Sequence, residues 1–135
     1  MGYRSLVRCL IYGSKDKLEA FIIAQQLILN NSALFEFKDV LRRYTINRGN
    51  NTYHVLDLTG IDWKWYPIYD TVIAWMTMLK ETKSFGLYYE FIRIGDEDND
   101  VEVHASDHSE DLIQTSTHTV IIEDFDVAEE LPLNL

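Results

Sequence analysis

"YRSLVRCLIY", residues 3–12, is rich in β-branched and aromatic residues and has a nearly continuous apolar middle. A strand buried on both faces has this composition, because each of its faces packs against another layer. The stretch therefore predicts a central strand. Gly13 ends it, and Ser14 is a candidate N-cap for a following helix with Asp16 in its first turn.

Two helices are predicted after this strand. The first has apolar residues at helical spacing from Leu18 to Leu29 and ends at "NNS", residues 30–32. The second is short, and Ser32 is its candidate N-cap. Its apolar residues also recur at helical spacing: Leu34, Phe37, Val40, Leu41 and Tyr44.

A third helix is predicted further along the chain. Pro67 suits its first turn, it runs to about Ser84, and Gly86 stands just past its end. Patterns typical of strands make up the rest. They are TYHVLDLT after the turn "NRGNN", then GLYYEFIRI, VEVHA at 101–105 and THTVIIEDF at 117–125.

The element order is roughly β-α-α-β-α-β-β-β. It predicts an α+β fold, a mostly antiparallel sheet with two or three helices packed on one face. With 135 residues, 47% of them hydrophobic, the chain has the size of one domain. We assign residues 1–125 to that domain and residues 126–135 to an acidic tail whose order stays open. The sequence shows no secretory leader and no apolar run of about 18 residues, so we expect a cytoplasmic protein without a membrane partner.

Charge is segregated along the chain. Up to Arg93 there are 12 basic and 9 acidic residues, whereas from Ile94 onward there are 13 acidic residues and no basic one. A field of this kind attracts cationic surfaces and rejects DNA, RNA and anionic membranes. The net charge of −10 therefore predicts a basic protein or nucleoprotein complex as partner, without direct binding of nucleic acid.

The densest acidic stretch is "IGDEDNDVEVHASDHSED", residues 94–111. Its first carboxylates fit a calcium loop, but Val101 stands where that loop needs glycine and Asp107 where it needs a bidentate glutamate. His104 and His108 have a helical metal-ligand spacing within a sequence that has little helical pattern. A divalent-metal-binding or hydrolytic protein that uses this Asp/His cluster is thus one open alternative, although we expect no metal or other cofactor.

Patterns that carry catalysis are missing from the sequence. It has no phosphate-binding loop, nucleophile elbow, dinucleotide fingerprint or cysteine pair. His54 and Asp57 have an odd spacing on one predicted strand, so their side chains should lie on opposite faces and form no dyad. Cys9 lies inside an apolar run and is expected in the core. We predict that the protein is not an enzyme and assign no catalytic residue.

A protein-binding surface is the interpretation that we favour for the acidic stretch. Alternate residues of an extended strand stand ~6.6 Å apart on one face, about twice the ~3.4 Å phosphate spacing along a DNA strand. A strand or hairpin with Asp96, Asp98, Asp100 and Glu102 on one face would then form a line of charge that imitates DNA. A solvated loop that protects a sheet edge is the ordinary alternative, but solvated faces usually mix both signs of charge. The candidate partner-binding residues are Asp96, Glu97, Asp98, Asp100, Glu102, Asp107, Glu110, Asp111, Trp63 and Trp65.

The two tryptophans come from "WKWYPIYD", where they fall on one side of an extended segment near Tyr66 and Tyr69. Exposed aromatic side chains of this kind anchor protein interfaces. The alternative is that they close the core around the start of the third helix. The sequence is consistent with both.

Four blocks of the sequence carry a resemblance: MGYRSLVRCLIYG, WKWY, YEFIRIGDEDNDVEV and IIEDF. They resemble small acidic proteins encoded by tailed bacteriophages and prophages. The resemblance implies a protein that works in the cytoplasm of an infected bacterium. It also suggests, by analogy, an inhibitor of restriction, CRISPR or another defence complex, or a modulator of host transcription.

We therefore expect a non-enzymatic protein that binds a host nucleic-acid-handling or defence protein through an acidic, DNA-mimicking surface. The metal-binding or hydrolytic protein is one alternative. A small virion or assembly protein, in which WKWY and the sheet edges make a homo-oligomer, is another. The oligomeric state stays open, with a dimer among the possibilities.

Overall fold

The structure is a computed structural model that describes residues 4–27, 33–97, 100–110, 112–116, 119–122 and 127–133. No helix within these ranges is long and apolar enough to cross a membrane. In chain order the elements are β1 (Ser5–Gly13), α1 (Lys15–Leu27), α2 (Ala33–Glu36), β2 (Leu41–Arg48), β3 (Asn51–Trp63), α3 (Asp70–Glu81), a 3₁₀ turn (Thr82–Phe85), β4 (Tyr88–Gly95), β5 (Val101–Ala105), β6 (Ile113–Ser116), β7 (Thr119–Ile122) and β8 (Val127–Leu131).

Strand β1 lies inside a sheet with the order β5-β4-β1-β3-β2-β8, in which every neighbouring pair is antiparallel. Strands β6 and β7 form a separate antiparallel pair. Val7 and Cys9 on one face of β1 and Leu10 and Tyr12 on the other are all buried, as the apolar run predicted. The α+β class with a mostly antiparallel sheet is confirmed.

The helices cover one face of this sheet, which we call the helical face. Its core joins Cys9 of β1 and Leu58 of β3 to Phe21 of α1 and Trp75 of α3. The opposite face has a smaller core, with Leu10, Tyr12, Tyr44, Ile46, Val55 and Leu112. Because side chains alternate along a strand, the same strands supply both cores.

The prediction of the second helix is correct only for its first turn. Helix α2 ends at Glu36, and Leu41 and Tyr44 belong to strand β2 instead. Leu41 lies opposite Leu58 and Tyr44 opposite Val55 in the β2–β3 pairing. The spacing of three that suggested a helix thus places the two side chains on opposite faces of the sheet, where both are buried.

The third helix begins later than predicted. Pro67 lies in a turn, and α3 starts at Asp70. The helix passes into the 3₁₀ turn and closes at Gly86, whose φ of 72° is the left-handed conformation that glycine adopts without strain. The predicted C-terminal glycine is therefore confirmed.

The C-terminal part of the chain holds more strands than predicted. Of the strand expected at 117–125, the structure describes β7, which pairs with β6. Strand β8 lies in the segment that the sequence left as an acidic tail, and it pairs with β2 at one edge of the sheet.

Candidate functional site

The β4–β5 hairpin carries most of the predicted partner-binding carboxylates that the structure describes. Gly95 donates a backbone hydrogen bond to the carbonyl of Asp100 at 2.8 Å, which closes the turn between the strands. Asp96 and Glu97 lie exposed in that turn, and only Glu102 belongs to strand β5. Of the two forms that the sequence allowed, a strand or a hairpin, the structure has the hairpin, because the chain reverses direction after Gly95.

Arg93 of β4 holds two of the predicted carboxylates. Its Nη2 and Nη1 donate to Asp100 Oδ1 and Oδ2 at 2.8 and 3.1 Å, and its Nε donates to Glu102 Oε1 at 3.1 Å. The hydrogen bonds to Asp100 and Glu102 raise the pKa of Arg93. These two carboxylates therefore stabilise the hairpin itself, and the single guanidinium offsets part of their charge.

The histidines that the sequence grouped as metal ligands do not share a helix. His104 lies on β5, where its Nε2 is 2.7 Å from Oε2 of Glu102. His108 lies beyond the strand in a turn, with a φ of 61°. Partial burial would raise the pKa of Glu102, but the hydrogen bonds from His104 and Arg93 outweigh it and lower that pKa. In the described ranges, no three His, Cys, Asp or Glu side chains come close enough to hold a metal ion.

The remaining acidic candidates lie around the hairpin. Asp107 and Glu110 are both exposed. The backbone of Glu110 is fixed from both sides, since its N–H donates to the Tyr12 hydroxyl and its carbonyl accepts from Arg48. Asp98 and Asp111, which complete the predicted set, lie outside the described residues.

The two predicted tryptophans are not equivalent. Trp65 is only 7% exposed and belongs to the helical-face core, while Trp63 is partly buried against that core. Their rings stack at 5.9 Å, and Phe37 stacks on both at 5.5 and 5.8 Å. The stack closes the core at the end of β3, which is the structural alternative that the sequence left open.

A cavity of about 450 Å³ lies between α3 and the β4–β5 hairpin. Trp65 and Met76 contribute apolar lining, while Arg93, Glu102 and Lys80 contribute charged lining. Three of the predicted residues, Trp65, Asp100 and Glu102, meet here although only two of them are close in sequence. Both carboxylates that line the cavity accept hydrogen bonds from Arg93.

Two carboxylates, Asp57 and Glu90, are buried on the face opposite the helices, and their burial was not predicted from the sequence. Asp57 is 1% exposed and accepts hydrogen bonds from Arg8 at 2.9 Å, Tyr44 at 2.6 Å and Thr59 at 2.6 Å. Burial, followed by the charge and hydrogen bond of Asp57, raises the pKa of Tyr44. His54 lies across from Gly13 and Asp57 across from Leu10, so the predicted placement of the two on opposite faces is confirmed.

Glu90 is the other buried carboxylate, 5% exposed. Its Oε2 accepts from the Tyr12 hydroxyl at 2.5 Å and from the Leu112 backbone N–H at 3.0 Å. The signal in the sequence is an acidic residue with an apolar or aromatic neighbour on each side, as in LDL and YEF. A buried carboxylate needs such partners, and here they tie Leu112 to the sheet.

The chain matches no model of a protein family, no curated protein and no solved structure with which it was compared. Function therefore has to be inferred from the geometry of the described residues.

Proposed function

We propose that the protein is a non-enzymatic binding protein that captures a basic, nucleic-acid-handling partner through acidic residues around the β4–β5 hairpin. One observation carries the proposal. Four of the acidic candidates, Asp96, Glu97, Asp107 and Glu110, are exposed. Exposed carboxylates of one sign steer and bind a cationic surface, with strong dependence on salt.

The helical layer has almost no net charge, which supports a binding surface elsewhere on the molecule. Residues 14–40 and 64–86 contain six lysines and six acidic residues, so the layer of helices and turns is close to neutral. The acidic excess is confined to the segment from Ile94 onward. A basic partner is therefore attracted toward the segment from Ile94 onward, which includes part of the hairpin, rather than toward the helices.

The hairpin also fixes the distance between the acidic residues at its turn and the acidic residue that follows β5. Asp96 and Glu97 lie at the turn, and Asp107 follows the far end of β5. At ~3.3 Å per residue, the intervening strand separates them by about 20 Å. The proposed surface therefore has two acidic ends joined by strand β5.

The resemblance to phage proteins suggests the class of partner. In that setting the partner is a host defence or transcription complex in the bacterial cytoplasm, and the acidic ends occupy part of its groove for DNA. This class of partner is inferred by analogy, whereas the preference for a cationic partner follows from charge.

A pull-down from bacterial lysate tests the proposal. The tagged chain is compared with a variant in which Asp96, Asp107 and Glu110 are changed to Lys. A control variant carries the same charge change on the helical layer, at Glu36, Asp39 and Glu81, which are also exposed.

We expect a specific basic protein to be retained at about 50 mM salt, to be released at high salt and to be displaced by duplex DNA. The hairpin variant should lose on the order of tenfold or more in affinity, while the control variant keeps most of it. Equal loss in both variants would mean that only net charge matters, and unchanged binding in the hairpin variant would refute the proposed site.

A further inference from the structure

Strand β5 forms one edge of the six-stranded sheet, with β4 as its neighbour. Ser106 N–H donates to the Tyr89 carbonyl and Gly95 N–H to the Asp100 carbonyl, so even-numbered residues of this segment turn their backbone groups toward β4. In an antiparallel pair, backbone groups alternate in direction along the strand. The N–H and C=O groups of Val101, Val103 and Ala105 therefore point away from the sheet.

The side chains of this edge are also unusually apolar. Val101 is 51% and Val103 is 62% exposed, both on the face opposite the helices. Native proteins protect sheet edges with lysine, proline or bulges, and VEVHA has none of these. At the other edge, β8 carries the exposed pair Glu129 and Glu130. The two edges of the sheet thus differ in chemistry, and only β5 is suited to pairing with another strand.

We propose that β5 pairs antiparallel with β5 of a second copy of this chain, with Val103 opposite Val103 on a two-fold axis. Val101 then lies opposite Ala105 of the second copy, so all exposed apolar side chains of the edge are covered. The two sheets continue into one another through backbone hydrogen bonds at Val101, Val103 and Ala105.

Charge selects this register over its neighbours. With Val103 on the axis, Glu102 lies opposite His104 of the second copy, in the closely spaced non-hydrogen-bonded position where cross-strand side chains contact each other. A shift by two residues toward the turn would place Glu102 opposite Glu102 of the second copy, which is a pair of like charges. A shift by two residues the other way would place Val101 opposite Asp107 of the second copy and His104 opposite His104. The sequence VEVHA is therefore complementary to itself in one register.

The size of the contact sets the strength of the dimer. Stable interfaces bury about 1,200–2,000 Å², and two five-residue strands bury much less. We therefore expect a reversible dimer with a dissociation constant on the order of tens to hundreds of micromolar. The acidic residues of the two hairpins repel each other across the axis, so salt should strengthen this association by screening them. Binding of a basic partner has the opposite salt dependence.

Sedimentation equilibrium of the purified full chain, from about 10 μM to 1 mM at low and high salt, measures the association. We expect a monomer–dimer equilibrium that tightens at high salt. Monomer at every concentration in both buffers would overturn the proposal. The measurement contains no other protein, so its outcome is independent of the proposed partner.

Substitutions at the edge show whether β5 is the contact. Val103→Pro removes only an outward N–H, so the fold should survive, as circular dichroism would verify, while the dimer is lost. Val103→Lys should have the same effect on association. Ile73→Lys on α3 is the matched control, because Ile73 is also an exposed apolar residue, 49% exposed. The dissociation constant of the dimer should be unchanged in this variant. A dimer that persists in both Val103 variants would refute the β5 contact.

Crosslinking tests the register. Two cysteines opposite each other on antiparallel strands lie within the Cα separation that a disulfide spans. Val103→Cys should therefore form a disulfide-linked dimer under mild oxidation. Val101→Cys should not, because its counterpart lies four residues away along the partner strand. Efficient crosslinking at position 101 but not at 103 would overturn the register.

Discussion

The hydroxyl of Tyr12 on β1 and the carboxylate of Glu90 on β4 lie 2.5 Å apart beneath the segment that follows β5. The same hydroxyl accepts a hydrogen bond from the Glu110 N–H, and the same carboxylate oxygen accepts one from the Leu112 N–H. Burial, together with the hydrogen bond to Glu90, raises the pKa of Tyr12, so the hydroxyl keeps its proton. Two buried side chains thus position the backbone of an acidic, exposed segment.

Tyr12→Phe should destabilise the protein by about 1–3 kcal/mol, because it leaves the buried Glu90 carboxylate and the Glu110 N–H each without one partner. Urea unfolding measures this loss. Hydrogen exchange should also accelerate at Glu110 and Leu112, whose amides the pair holds. Tyr69→Phe is the control, since Tyr69 is 41% exposed and its substitution should change the free energy of unfolding by less than about 0.5 kcal/mol. Equal stability of the two variants would contradict the structural role of Tyr12.

Asp57→Ala should cost more, about 3–5 kcal/mol, because it leaves the guanidinium of Arg8 largely buried without its carboxylate. The double variant Arg8→Met with Asp57→Ala removes both charges and should recover a large part of that loss. Urea unfolding of both single variants and the double variant gives the coupling free energy. Additive losses would mean that the two side chains do not act as a pair.

Much of the fold could be predicted from local patterns. The apolar run of β1, the alternating VEVHA of β5 and the glycine after α3 each depend on neighbours in sequence, and each was predicted correctly. Leu41 and Tyr44 were assigned wrongly because a spacing of three fits a helix and also fits a strand buried on both faces. Pairing with β3, which no local pattern contains, decides between the two.

The candidate site depends even more on distant contacts. The sequence identified the acidic stretch, but the partner of Asp100 and Glu102 is Arg93, which lies just before the stretch and reaches them only because the chain turns back. The burial of Asp57 and Glu90 was not predicted because their partners, Arg8 and Tyr12, are 49 and 78 positions away. A charge count along the chain therefore predicts how acidic a segment is, but it does not predict which carboxylates remain exposed.

The lowered pKa of His54 lets us predict how the free energy of unfolding depends on pH. Burial, reinforced by the charges of Arg43 and Lys15, lowers the pKa of this imidazole below its ordinary value of 6.5. The unfolded chain then binds the proton more tightly than the folded one, so the free energy of unfolding should fall as pH decreases through and below about 6.5.

His54→Gln should flatten this dependence between about pH 7 and 5.5, because the variant has no group at position 54 that titrates there. Urea midpoints of both proteins across that range measure the effect. The pKa of Glu102 is also shifted, to below its ordinary value of 4.5. Its contribution to the free energy of unfolding is therefore lost only below about pH 4.5, outside the range of this comparison. Identical slopes for the two proteins would mean that the burial of His54 does not govern the acid side of stability.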